Sequence, residues 1–177
     1  MLDEHWASLP EPRRGEIADR FTVLHRKLES AGMVDVLFNS CNPDLSERDH
    51  FELARNYHRL GMACPFLESE LCSVYAMRPA ACREYLVSSH PTQCADPFGG
   101  SIRSIPIAAQ IGQALAGVCA RVLKTEVQLI PLALGPWWAQ QHRRDQARRF
   151  ESERLVDYLA TQMEIVIGQN AETRAIQ

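Results

Sequence analysis

Between Cys64 and Cys94 the chain sets four of its six cysteines within 31 residues, at positions 64, 72, 82 and 94. Prolines 65, 79 and 91 punctuate the same stretch, and Arg78-Pro79, Cys82-Arg83-Glu84-Tyr85 and His90-Pro91 lie between the thiols. Helix and strand breakers at this density restrict segment 60–97 to a long, irregular, cysteine-bearing loop. A tetrahedral zinc ion or an iron–sulfur cluster needs about four thiolates or imidazoles converging on one point, and four sulfurs are present. Their separations of seven, nine and eleven intervening residues are not the close C-x-x-C pairs of a zinc ribbon. Spacing alone therefore leaves two readings open, a metal–thiolate loop and cysteines buried as small apolar residues.

Local chemistry inside the loop adds detail. Pro79 suits the first position of a short helix over 79–85, which puts Cys82 within its first turn and a half. Backbone N–H groups there, with Arg83 alongside, favour the thiolate form of Cys82. His90 is an alternative ligand to one of the cysteines, and Cys41 stands alone upstream.

The rest of the chain reads as a helical body. Its 177 residues fit a single domain, 1–177, with a sizeable core. Ile17, Phe21, Leu24 and Leu28 recur at helical spacing and predict a helix over about 13–31, stopped by Gly32. Residues 33–38 are read as a short helix. Ser46 and Asp49 have capping-box spacing and predict a second long helix to about Leu60, with Phe51, Ala54, Tyr57 and His58 on its apolar side and Gly61 at its end. Ile107, Ile111, Leu115, Val118 and Val122 predict a third, with Cys119 packing beside that face as a small apolar residue. Leu155, Leu159, Met163 and Val166 predict a last helix over about 151–168, followed by a polar, frayed tail. The fold class expected is mainly α: one irregular helical domain carrying the cysteine loop.

Composition excludes several classes of function. A net charge of −3 argues against a nucleic-acid-binding character overall. No apolar run approaches the roughly 20 residues of a membrane helix. The N-terminal residues Met1 to Trp6 have neither a basic nor an apolar signal region, so the expected compartment is the cytoplasm, where thiols stay reduced and disulfides are not expected. No Gly-rich phosphate loop, nucleophile elbow or paired-carboxylate motif is present, so hydrolase and kinase readings have no support.

The run Leu60-Gly61-Met62-Ala63-Cys64-Pro65-Phe66-Leu67-Glu68, then Cys72-Ser73-Val74-Tyr75, Arg78-Pro79 and Cys82-Arg83-Glu84-Tyr85 resembles the second half of the YkgJ-like cysteine-cluster family, described as a zinc- or iron-chelating domain. Pro10-Glu11-Pro12-Arg13-Arg14 and Arg20-Phe21 are also similar to longer members. The resemblance implies metal ligation by Cys64, Cys72, Cys82 and Cys94, with zinc or iron (including an iron–sulfur cluster) as the cofactor. It also implies an upstream C-x-x-C-x-x-C-C ahead of the first helix, and this chain has no such motif, only Cys41. Some proteins with a similar cluster are flagellin lysine methylases, which makes a metal-dependent enzyme the second reading. A helical interaction module with core cysteines is the third.

Three other constellations read as ordinary structure. Arg143, Arg144, Arg148 and Arg149 are expected on a solvated helix face rather than at a phosphate site. Of Trp137 and Trp138, adjacent and so about 100° apart on a helix, at least one is expected in the core. His50 and His58 lack the spacing of a metal pair.

Overall fold

The computed structural model describes residues 9–39, 45–90, 93, 97–100 and 102–176, and their side chains except at 146 and 172–176. The described residues form helices and one small hairpin, the mainly α class expected. No helix among them is long and apolar enough to cross a membrane. The chain divides into two compact units, one from 1–77 with 128–148 and one from 78–127 with 149–177.

The first unit is built on α1 (Glu11–Ser30). Pro12 lies in its first turn, where a missing N–H costs nothing, and the stripe Ile17, Phe21, Leu24 and Leu28 is buried as the periodicity required. The helix ends where Gly32 takes φ +64°, with Gly32 N–H donating to the Glu29 carbonyl and Met33 N–H to that of Leu28. This is a Schellman motif, and its apolar closure is made by Met33 against Leu28. Next come α2 (Val34–Phe38) and α3 (Glu47–Arg59). The Ser46–Asp49 capping box opens α3, and Gly61, at φ +58°, follows its end.

The apolar side of α3 differs from expectation. Leu53 and Tyr57, with Leu60 just beyond, pack on the core formed by Leu24, Leu28, Met33, Leu37, Ala133 and Leu134. Phe51 is 50% exposed, and Ala54 and His58 are exposed. Two apolar stripes compete on this helix, and the one that packs on Leu24, Leu28 and Leu134 is half-buried.

A 3-10 turn at Leu132–Leu134 drives Leu134 fully into that core. Gly135–Gln141 continues as a helix with Pro136 in its first turn. Trp137 packs against a second cluster and stacks on His25 at 4.0 Å, while Trp138 stacks on His142 at 4.2 Å and donates to Gln128. The expectation of a core tryptophan thus falls to Trp137. Arg143–Gln146 forms a separate single turn, in which Arg148 pairs with Asp145 from just beyond the end, so the arginines do not form one continuous helix face.

In the second unit, α4 (Ala80–Glu84) precedes α5 (Ile111–Leu123), and the chain returns as the long helix Ser152–Ile176, called α8 after the helices Gly135–Gln141 (α6) and Arg143–Gln146 (α7). α5 packs along α8. Its buried residues are Ala114, Gly117, Val118 and Ala120, while Ile111 and Leu115 are exposed. Cys119 is exposed as well, which corrects its expected burial. Small residues face α8 because the helices approach closely: a Cβ on Gly117 would overlap the Gln162 side chain. Leu155, Leu159 and Met163 are half-buried and Val166 is buried, as the spacing predicted. The helix continues to Ile176, beyond the expected end at 168. Between α4 and α5, Val87 and Ser104 form an isolated antiparallel bridge.

Candidate metal centre

The cysteine segment begins at the end of α3. Pro65 and Phe66 turn inward and are buried, whereas Cys64 is exposed. Phe66 enters the cluster of Leu9, Ile17, Phe21 and Val74 and meets Phe21 edge-to-face, ring centroids 5.5 Å apart. This apolar contact fixes the backbone that carries Cys64.

Beyond Phe66 the chain forms a hairpin that sequence reasoning missed. β1 (Leu67–Glu68) pairs antiparallel with β2 (Leu71–Cys72), Leu67 opposite Cys72. The connecting residues Ser69 and Glu70 have φ of 48° and 64°, as a tight type I′ turn needs. A Ser-Glu pair lacks the Asn or Gly that marks such turns, so the sequence held no usable signal. Ser73 reinforces the open end, its N–H and its hydroxyl both donating to the Phe66 carbonyl at 2.9 Å.

The register brings two of the expected ligands to one place. Leu67 N–H donates to the Cys64 carbonyl at 2.9 Å, and Leu67 is the cross-strand partner of Cys72. Both cysteines therefore adjoin the backbone of the same residue. Cys72 is half-buried against the Phe66 cluster. Burial pushes the Tyr57 phenol above its ordinary pKa of 10.0, and the neighbouring Cys64 pushes it in the same direction.

The third expected ligand, Cys82, lies in the second unit and is exposed on α4. That helix starts after Pro79, as expected, and the Cys82 N–H donates to the Pro79 carbonyl. Arg83 donates through Nε to the Arg78 carbonyl. Glu84 accepts from the Gly112 N–H at 3.0 Å and so ties α4 to the first turn of α5. Cys94 and Cys41 lie outside the described residues. His90 is exposed, with its carbonyl accepting from the Gln93 N–H.

Among the described residues no three His, Cys, Asp or Glu side chains are grouped so as to hold a metal ion. The donor chemistry nonetheless fits zinc or iron: the thiols of Cys64, Cys72 and Cys82 are exposed or half-buried, and thiolates are the soft ligands both metals take.

The motif's family is borne out by comparison. Residues 32–110 match the CxxCxxCC family. It is described as a "putative zinc- or iron-chelating domain". The matched stretch starts after α1 and contains Cys41, Cys64, Cys72, Cys82 and Cys94, but no C-x-x-C-x-x-C-C run. It supports metal binding and specifies no reaction. No curated protein and no solved structure matches the chain.

Proposed function

We propose that this chain is a cytoplasmic metal-binding protein that takes up zinc or iron through the thiolates of Cys64, Cys72, Cys82 and Cys94. The observation that supports the reading is that the backbones of Cys64 and Cys72 both adjoin Leu67, inside the stretch that matches a chelating family. A bound ion would supply a cross-link among the segments that carry the cysteines, with each thiol losing its proton on ligation. Ligation and ordering of such segments are coupled, so the loop completes its donor set as the metal enters.

Protein purified without oxygen is expected to carry on the order of one zinc ion, or an iron centre, per chain by elemental analysis. A visible charge-transfer spectrum separates iron–sulfur from zinc. Cys64→Ser and Cys72→Ser are each expected to lose most of that metal, and Cys119→Ser to keep it. A wild-type chain that neither carries metal nor takes up zinc, cobalt or ferrous ion under reducing conditions would sink the reading.

A further inference from the structure

We propose that Arg13, Arg20 and Glu68 are positioning residues that set the thiols of Cys64 and Cys72, an inference that rests on the metal-binding reading above. Arg13 and Arg20 are seven residues apart on α1, two turns, and so lie on one face. Glu68 sits between them. Its Oε2 accepts from Arg13 Nη2 at 3.0 Å, and Arg20 Nη1 lies 3.5 Å from its Oε1. The same Arg20 nitrogen donates to the Pro65 carbonyl at 3.1 Å.

These contacts grip the stretch that joins the two cysteines, at Pro65 and at Glu68. Pro65 follows Cys64 directly and is buried, so its carbonyl requires a partner, and Arg20 provides a charge-assisted one. Glu68 is the last residue of β1, next to Leu67, whose backbone both cysteines adjoin. A hairpin of two residues per strand has no independent stability, and its turn residues occupy a costly backbone region. Its orientation is therefore set from outside, by Phe66 in the core and by the two arginines. The arginine and glutamate side chains are partly exposed, at 43%, 38% and 30%, so their pairing adds little to global stability. Their effect falls on the geometry of the loop.

The test uses the full reduced chain, with cobalt(II) as the metal probe in competition with a chelator. Glu68→Gln and Arg20→Gln are expected to weaken cobalt binding on the order of tenfold, the usual effect of losing a partner that orients a ligand. Arg20→Lys is expected to regain part of that loss, and Ser46→Ala, which removes a distant helix cap, to bind as wild type. A second arm needs no metal: iodoacetamide is expected to alkylate the half-buried Cys72 several-fold faster in the two Gln variants, at a temperature where all variants are folded. Wild-type cobalt affinity together with wild-type alkylation rates in both Gln variants would overturn the positioning role. If the wild type itself binds no cobalt, it is the metal reading that falls, and the alkylation rates alone then decide the role of the clamp.

Discussion

The two units hold together by opposite means. In the first, large side chains fill the space between elements: Leu24, Leu28, Leu37 and Leu134 in one cluster, Ile17, Phe21 and Phe66 in another. In the second, α5 lies against α8 where Gly117 meets Gln162, and three of the four residues that α5 buries are the small Ala114, Gly117 and Ala120. The first unit is thus vulnerable to deletion and the second to addition. The difference bears on the cysteines too. Cys64 and Cys72 ride on a segment anchored by Phe66, whereas Cys82 rides on a five-residue helix tied to α5 through Glu84.

The strongest way to break this contrast is Phe66→Ala. It removes a buried ring and its edge-to-face partner, and is expected to cost about 3–5 kcal/mol in chemical denaturation. A loss below about 1 kcal/mol would mean that the segment is not anchored through Phe66. Gly117→Ala tests the other unit. The added methyl must displace Gln162, a flexible side chain, so the expected loss is smaller, about 1 kcal/mol by the same measurement. Alanine's higher helix propensity works against that loss, so only a gain of the full ~1 kcal/mol it offers would mean that the methyl meets no resistance there.

The smallest effects belong to the α3 capping box. Ser46→Ala is expected to cost about 0.5 kcal/mol, the low end of the range for so exposed a cap. The Ser46 hydroxyl, donating at 2.6 Å, and then its backbone N–H at 3.0 Å, hold the Asp49 carboxyl below its ordinary 3.8. A lowered folded-state value means that ionised Asp49 stabilises fully above pH 3.8, and that this contribution fades as pH falls through the folded value. The Ser46 hydroxyl also accepts from the Asp49 N–H, a bond that does not titrate, so denaturation curves across the acid range should draw closer for wild type and Ser46→Ala without merging at the lowest pH, and unchanged separation would rule out this linkage.

Where one apolar stripe dominates a helix, the sequence was enough to read it. Ile17, Phe21, Leu24 and Leu28 are buried as their spacing required, and Gly32 and Gly61 stand past the helix ends where their φ values are needed. Where two stripes compete, only the partner decides. On α3 the core took the expected Tyr57 together with Leu53 rather than Phe51 and Ala54, and on α5 the expected Val118 is buried together with Ala114, Gly117 and Ala120 rather than Ile111 and Leu115. A pattern search weighted toward bulk passes over a glycine–alanine seam. In the candidate site, the short helix after Pro79 and the family of the cysteine motif were legible. The hairpin that pairs Cys72 with Leu67 was not, since Ser69-Glu70 has no turn signature and two-residue strands leave no alternation to detect.

The same Ser69-Glu70 turn has a practical consequence. Both residues hold a left-handed backbone that Asn-Gly would adopt with less strain. Exchanging them would stiffen the hairpin while leaving every thiol, Phe66 and Glu68 in the chain. Loop rigidity, and through preorganisation the affinity for whatever the thiols hold, is therefore adjustable at two positions that donate nothing to the ligand.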